Sequence, residues 1–520
     1  MRGDSYLMTS FEGTDPSPTT LDLIRGGVPG VSLFRAENVD SAAQVADMTA
    51  RLHDASPDGL PLLIAADQET GQLLGLGEDT TPFPGAMALG AARDPQLARR
   101  VAQAVGSEIR ALGVTMNYAP VCDVATNPDN PSLGIRAFSD DPVVVAEMAA
   151  ATVEGMRAAG VASTAKHFPG KGEAVVDPHH ELPLLDLERR RLNEVELAPF
   201  RSAVEAGVSA VMVGHYDVPA LTGRPRLPTS LSSATVGGLI RRELGFEGVV
   251  VTDALDMGAL PQGISQVVDA ITAILAGVDL LLTTPDPEAH ERLRSALDLA
   301  MGRGLLTDPA ASRARVAGLR RWLAGFPAPD KDVVGSGHHR RLAAEVARRS
   351  VTLVRDEPGL VPIPSSGRLL AVMPRPADLT PADTSSRLPP GLAPALRRVH
   401  PDVTEIVTQP TPTNGDVAGA VAAAADADVI VVGTISAGRE QAALVDAMID
   451  TGKPTVTVAL RTPFDLARYP RAATHLCTYS IVPPSMDALA DVLGGDARPS
   501  GVLAAAIPGL YPRGHGLVFK

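Results

Sequence analysis

The chain has 520 residues, 45% hydrophobic, 20% charged and 3% aromatic. That length exceeds the ~100–200 residues of an average domain, so it predicts two large domains with sizeable cores and excludes disordered and fibrous classes. Its 46 basic and 60 acidic residues leave a net charge of −14 without a dense Lys/Arg run, which argues against a nucleic-acid partner. With 10 Phe, 6 Tyr and 1 Trp there is no supply of aromatic platforms, so any bound sugar must be held by hydrogen bonds and charges.

The start, MRGDSYLMTSF, has one Arg and no apolar core, and nowhere does an uncharged apolar run approach ~18 residues. Neither a standard secretion signal nor a membrane span is expected. Cys122 and Cys477 each sit beside an apolar stretch and read as two buried thiols, consistent with a reducing, cytoplasmic compartment.

Short β-branched runs alternate with helical segments over the first 325 residues. The strand candidates are 31–34, 62–66, 114–118, 162–166, 210–213, 249–252 and 280–282. Asp94-Pro95 supplies an N-cap and an N1 proline, Leu97, Val101, Val105 and Ile109 follow at helical spacing, and Gly113 stops the run. Asp141-Pro142 opens a second helix that Gly160 closes. Seven strands in this rhythm predict a (β/α)8 TIM-like barrel over residues 1–325 with an eighth strand unplaced; an open doubly wound sheet is the alternative.

Residues 326–341 have the Pro, Gly and charge content of a linker. Beyond it, a helix near 342–350 and strand candidates 369–373, 429–435, 454–460 and 474–478 predict a smaller α/β sandwich domain over 342–520. Its proline-rich stretch 375–394 reads as a surface loop.

In such a barrel the residues following each strand form the active-site rim. Here they are Asp67-Gln68-Glu69, Asn117 with Asp123, Lys166-His167, His215 and Asp253. Any one of them can serve merely as a helix cap or loop tie, but five titratable strand ends in succession point to a site. Within KHFPGKGEAVVDPHHELP (166–183), Asp177 and His179 lie two apart, and a carboxylate beside an imidazole fixes its tautomer and raises its basicity. Within GVVVTDALDMGAL (248–260), a buried strand ends at Asp253, a carboxylate that can be nucleophile, base or metal ligand.

These residues resemble glycoside hydrolase family 3, in particular its β-N-acetylglucosaminidase branch. The loop 166–183 matches the family signature K-H-F-P-G-H-G, four residues, D-S-H, two residues, L-P, except for Lys171 and Pro178. Asp67-Gln68-Glu69, the segment from Asn127-Pro128 through Arg136 and Phe138, Leu244-Gly245-Phe246 leading to Thr252-Asp253, and the stretches 452–465 and 499–508 are similar as well. The resemblance implies a retaining exo-acting β-glycosidase with a small carbohydrate substrate and neither cofactor nor metal. Asp253 would be the nucleophile, His179 the general acid/base and Asp177 its orienting partner. Asp67, Arg136, Lys166 and His167 would hold the hydroxyls of the terminal sugar.

Thr70, Gln72 and Gly75 depart from the family's D-Q-E-G-G-R-V-x-R motif, so both of its arginines are missing. A β-glucosidase or β-xylosidase of the same family is therefore a rival; such members lack the Asp-x-His dyad and draw a Glu acid/base from the second domain, where Glu440 is the candidate. A β-N-acetylglucosaminide phosphorylase is another, since a neutral histidine acid/base admits phosphate as acceptor. A metal-dependent hydrolase built on His167, His179, His180 and His215, and a catalytically silent sugar-binding protein, are rivals from other classes.

Overall fold

The computed structural model describes residues 3–283, 285–306 and 310–517. Eight parallel strands form the first sheet: β1 (Leu7–Thr9), β2 (Gly30–Leu33), β3 (Leu63–Ala66), β4 (Met116–Asn117), β5 (Ala162–Phe168), β6 (Ala210–Val213), β7 (Val249–Thr252) and β8 (Leu281–Leu282). Strands β1 to β7 pair in sequence order, β8 pairs with β1, and a parallel bridge from Val251 to Leu280 joins β7 to β8. The sheet thus closes into a (β/α)8 TIM-like barrel, which overturns the open doubly wound alternative. The strand that the sequence left unplaced is β1. It has only three residues, and its partners, Leu281 and Gly30, lie far along the chain or across a helix.

The helices between strands form for legible reasons. Asp94 accepts hydrogen bonds from the N–H groups of Gln96 and Leu97 at 2.9 and 3.2 Å, Pro95 occupies the first turn, and Leu97, Val101, Val105 and Ile109 of helix Pro95–Ala111 are buried. Each such aliphatic contributes roughly 1.5–3 kcal/mol relative to exposure. Helix Pro142–Ala158, capped by Asp141, packs alongside it. At the opposite end of the barrel from the strand C-termini, Val316 and Leu323 of helix Ala310–Ala324 share a core cluster with Leu63, Ala162, Ala210 and Val249. Trp322 packs against this plug, edge-on to Phe326.

A second sheet holds six strands: β9 (Thr352–Asp356), β10 (Leu369–Pro374), β11 (Val403–Thr408), β12 (Val429–Thr434), β13 (Thr455–Ala459) and β14 (Thr474–Cys477). Their order is β9-β14-β13-β12-β10-β11, parallel throughout except that β9 runs antiparallel to β14. This is the smaller α/β sandwich. Strands β9 and β11 escape sequence reading because one ends in Arg355-Asp356 and the other is a partly exposed edge with Glu405 in its middle. Helix Gly337–Ser350 starts earlier than expected, capped by Ser336, and packs against both Ala86–Ala92 of the barrel and Pro483–Gly494 of the sandwich.

The stretch 375–394 is not a free surface loop. Thr384 donates through its N–H and Oγ1 to the Gln72 carbonyl at 2.8 and 3.1 Å, the Leu74 N–H donates to Thr384 Oγ1, and Gln72 Nε2 donates to the Ala382 carbonyl at 3.1 Å. Asp383, fully buried, pairs with buried Arg461 at 2.7 Å. The loop is thereby docked onto the barrel hairpin formed by Gln68–Thr70 and Leu73–Leu74. Among the described residues no helix is long and apolar enough to cross a membrane.

Candidate active site

A cavity of about 500 Å3 opens at the C-terminal ends of the barrel strands. Asp67 reaches it from the end of β3, Lys166 and His167 from β5, Asp253 from the end of β7, and Arg136 from the loop after β4. Consecutive residues of a regular strand point to opposite faces, yet Lys166 and His167 both line the cavity. The β5–β6 register shifts between Ala165 and Phe168, so the strand is not regular over these two residues. Asp378, Ala382, Thr384 and Arg387 of the docked loop complete the wall.

The floor is an ion cluster. Lys166 Nζ lies 2.5 Å from both Asp67 and Glu69, and Arg136 grips Glu69 through Nε at 2.8 Å and Nη2 at 2.7 Å. Burial alone would raise the Glu69 pKa, but the charges of Arg136 and Lys166 override it and hold the carboxyl well below its usual range. For the same reason Lys166 stays cationic: burial opposes its charge, and Asp67 and Glu69 outweigh that and raise its pKa. Cations and carboxylates held in fixed geometry make strong hydrogen bonds to hydroxyls and need no aromatic stacking surface. Phe34 and Tyr118 are the aromatic carbocycles among the lining residues.

Two carboxylate–imidazole pairs flank this floor. His167 Nδ1 lies 2.7 Å from Asp123 Oδ2, and its Nε2 lies 3.3 Å from Arg136 Nη2. Arg can only donate, so Nε2 is the acceptor and the proton sits on Nδ1. Burial, followed by the nearby Lys171 and Arg136 charges, drives the His167 pKa well below its ordinary value, so the ring is neutral. In the second pair, His179 Nδ1 lies 2.6 Å from Asp177 Oδ1, and the Asp177 pKa is lowered to about 2: burial raises it, and the hydrogen bonds from His179 overcome that. The side chain of His179 is 27% exposed and its ring lines the cavity with Nε2 free of protein partners among the described residues.

Asp253 accepts from the Ala254 N–H at 2.9 Å, and its carboxylate is held below its ordinary pKa: burial raises it, and His167, His215, His179 and Lys171 together outweigh burial. The segment behind it is stitched to the dyad loop, with the Gly258 N–H donating to the His179 carbonyl at 3.0 Å and the Ala259 N–H to the Pro178 carbonyl at 3.1 Å. A Cβ at 258 would stand 2.6 Å from the His180 carbonyl and 2.8 Å from that of His179, so glycine is required for this approach. The dyad and Asp253 are therefore held in register by backbone.

Residues 13–313 match the glycosyl hydrolase family 3 N-terminal domain. The chain belongs to glycosyl hydrolase family 3. It is 35% identical over 382 residues to a beta-hexosaminidase A of Pseudoalteromonas piscicida, covering 68% of this chain and 64% of that protein, just under two thirds of the relative's length. A beta-hexosaminidase of Xylella fastidiosa is 36% identical over 305 residues, 57% of this chain and 87% of that one. The solved structure of a family 3 beta-N-acetylglucosaminidase from Paenibacillus superposes with a TM-score of 0.91 at 35% identity, covering 97% of this chain and 98% of that one.

Of the seven site residues expected from the family 3 resemblance, Asp67, Arg136, Lys166, His167, His179 and Asp253 line the cavity, and Asp177 stands behind His179. Glu440, the rival acid/base, is exposed and outside the lining. His215 spends both ring nitrogens on Ser230 and the Ala254 carbonyl. Gly75 lines the cavity where a Cβ would stand 2.5 Å from the Asp67 carbonyl, so this backbone path leaves no room for a side chain. Sequence reasoning placed Glu69 and Asp123 on the rim but assigned neither its part in organising the floor. It also missed the second-domain loop, for which local sequence carries no signal. Among the described residues no cluster of three or more His, Cys, Asp or Glu could hold a metal ion.

Proposed function

We propose that this family 3 enzyme is a retaining exo-β-glycosidase that removes terminal β-N-acetylhexosamine from short oligosaccharides such as cell-wall or chitin fragments. Asp253 attacks the anomeric carbon to form a covalent glycosyl-enzyme while protonated His179 gives its Nε2 proton to the departing glycosidic oxygen. Asp177 holds the Nδ1 proton and stabilises the imidazolium. The now neutral His179 takes a proton from water, the water oxygen bonds to the anomeric carbon, and Asp253 is released as a carboxylate. Asp67, Arg136 and Lys166 hold the hydroxyls of the terminal sugar, and His167, whose ring nitrogens meet Asp123 and Arg136, braces Arg136 and forms part of the same wall.

The observation that supports this most is the shared cavity of Asp253 and the Asp177-oriented imidazole, a carboxylate suited to nucleophilic attack and a group suited to proton transfer, locked together by the Gly258–His179 bond. A pocket closed by the second-domain loop, without an aromatic row, suits one terminal sugar better than a polymer. The hexosaminidase names of the relatives favour N-acetylhexosamine over glucose or xylose. A barrel over 1–325, a linker over 326–341, a sandwich over 342–520 and a cytoplasmic setting belong to the same reading.

The test is a panel of aryl β-glycosides assayed with and without phosphate. Release from β-N-acetylglucosaminides, lost by about 10⁴-fold or more in Asp253→Asn, is expected. Turnover of β-glucosides alone would overturn the substrate, and a rate that requires phosphate would overturn hydrolysis.

A further inference from the structure

Among the described residues, the cations that make up the ion cluster of the floor are matched by carboxylates. Lys166 has Asp67 and Glu69, and Arg136 has Glu69. Lys171 is 1% exposed and lines the cavity, yet among the described residues its ammonium makes no hydrogen bond and has no carboxylate oxygen within 4.0 Å. An ammonium has three donors and no acceptor, and leaving it buried and unmatched is costly unless something arrives to meet it.

The backbone around Lys171 is clamped. Its N–H donates to Asp123 Oδ1 at 2.9 Å, its carbonyl accepts from Asn130 Nδ2 at 2.7 Å and from the Ala174 N–H at 3.0 Å, and Gly172 is pressed against the Val124 carbonyl too closely for any side chain. The side chain is therefore presented from a rigid support. The charged groups near enough to act on it are Arg136, Asp123, Asp253 and Asp177, and Arg136, Asp253 and the neutral ring of His167 line the same cavity. In a sugar whose anomeric carbon meets Asp253 and whose remote hydroxyls meet Arg136 and Lys166, one edge between those ends carries the C2 and C3 substituents and the other the ring oxygen and the C6 hydroxymethyl; of these an acetamido carbonyl on C2 is the strongest acceptor for an ammonium.

We propose that Lys171 reads the C2 substituent, its ammonium donating to the carbonyl oxygen of a 2-acetamido group. This rests on the sugar orientation in the proposed function and adds to it the residue that sets the sugar class. A 2-hydroxyl lacks both the reach and the carbonyl dipole, so the ammonium would discriminate the two sugars. Burial, with the Arg136 charge next, lowers the Lys171 pKa to about 8, while Asp123, Asp253 and Asp177 oppose the fall. The donor is thus present below about pH 8 and lost as pH rises through it.

The experiment measures kcat/KM for matched 4-nitrophenyl β-N-acetylglucosaminide and β-glucoside in the wild type and in Lys171→Met. The expected result is a fall in the acetamido-to-hydroxyl ratio of about 10- to 100-fold, the size of one charged hydrogen bond. The wild-type ratio, which needs no variant, should fall as pH rises from 7 to 9, and Lys171→Arg should restore much of the ratio and flatten its pH dependence. A ratio unchanged in Lys171→Met, or independent of pH in the wild type, overturns the role of Lys171 while leaving the proposed function intact. A wild type that hydrolyses no β-N-acetylglucosaminide overturns both.

Discussion

The two carboxylate–imidazole pairs, Asp123–His167 and Asp177–His179, have nearly the same contact, 2.7 and 2.6 Å, and differ in everything around it. Asp123 is fully buried, and His167, although it lines the cavity, has its second nitrogen occupied by Arg136. His179 is partly exposed and its second nitrogen faces the cavity. A proton can be exchanged with substrate or water only through a nitrogen that no protein group occupies. The same dyad therefore serves as a fixed hydrogen-bonding strut in one place and as an acid/base in the other, and the difference lies in the far nitrogen.

The largest expected effect that tests this contrast is on His179. His179→Ala should lower kcat/KM by about 10²–10⁴-fold for glycosides with poor leaving groups and far less for activated aryl glycosides, which need little protonation. A Brønsted series on leaving-group pKa checks it, and equal losses along the series would place the acid elsewhere. His167→Ala should instead lose about the same factor along the whole series, because the ring braces Arg136 and moves no proton.

Next is stability. Glu69→Gln leaves Arg136 and Lys166 buried with one counter-charge fewer, and breaking such a buried ion pair costs about 3–5 kcal/mol. Thermal or denaturant unfolding measures it; a change under 1 kcal/mol would mean that water reaches the cluster. The pH dependence of the second dyad follows from the lowered Asp177 pKa. Its contribution to stability is complete above the unfolded Asp value of about 3.9 and disappears as pH falls through about 2. The stability gap between wild type and Asp177→Asn should hold steady from pH 7 to 5 and close below pH 4. The smallest effect concerns the rim: Gln72→Ala removes the 3.1 Å bond to Ala382, worth about 0.5–1.5 kcal/mol, and should raise KM a few-fold with kcat nearly unchanged.

Much of the barrel could be read from the sequence, because seven of its strands are apolar runs, five of them leading into titratable residues, and several of its helices open on Asp-Pro caps. The site residues were legible for a related reason: Asp253 and Lys166-His167 sit at or beside strand ends, where a barrel places its chemistry. What escaped lacks a local signature. β1 is three residues whose pairing with Leu281 spans nearly the whole barrel sequence, and Glu69 gains its meaning only from Arg136, which is 67 residues away. The proline-rich loop looked solvated because nothing near Thr384 indicates that its partner is Gln72, 312 positions earlier.

By itself, then, the sequence determined the barrel's βα rhythm, an aromatic-poor site that must hold its ligand by charge, and the loop carrying Asp177 and His179. Each of these is written in neighbouring residues through periodicity, capping and composition. Only the tertiary structure decided which dyad keeps a free nitrogen, which lysine is left without a counter-charge, and that the second domain closes the pocket. Those outcomes depend on which groups long-range folding brings within hydrogen-bond distance and which it seals from water.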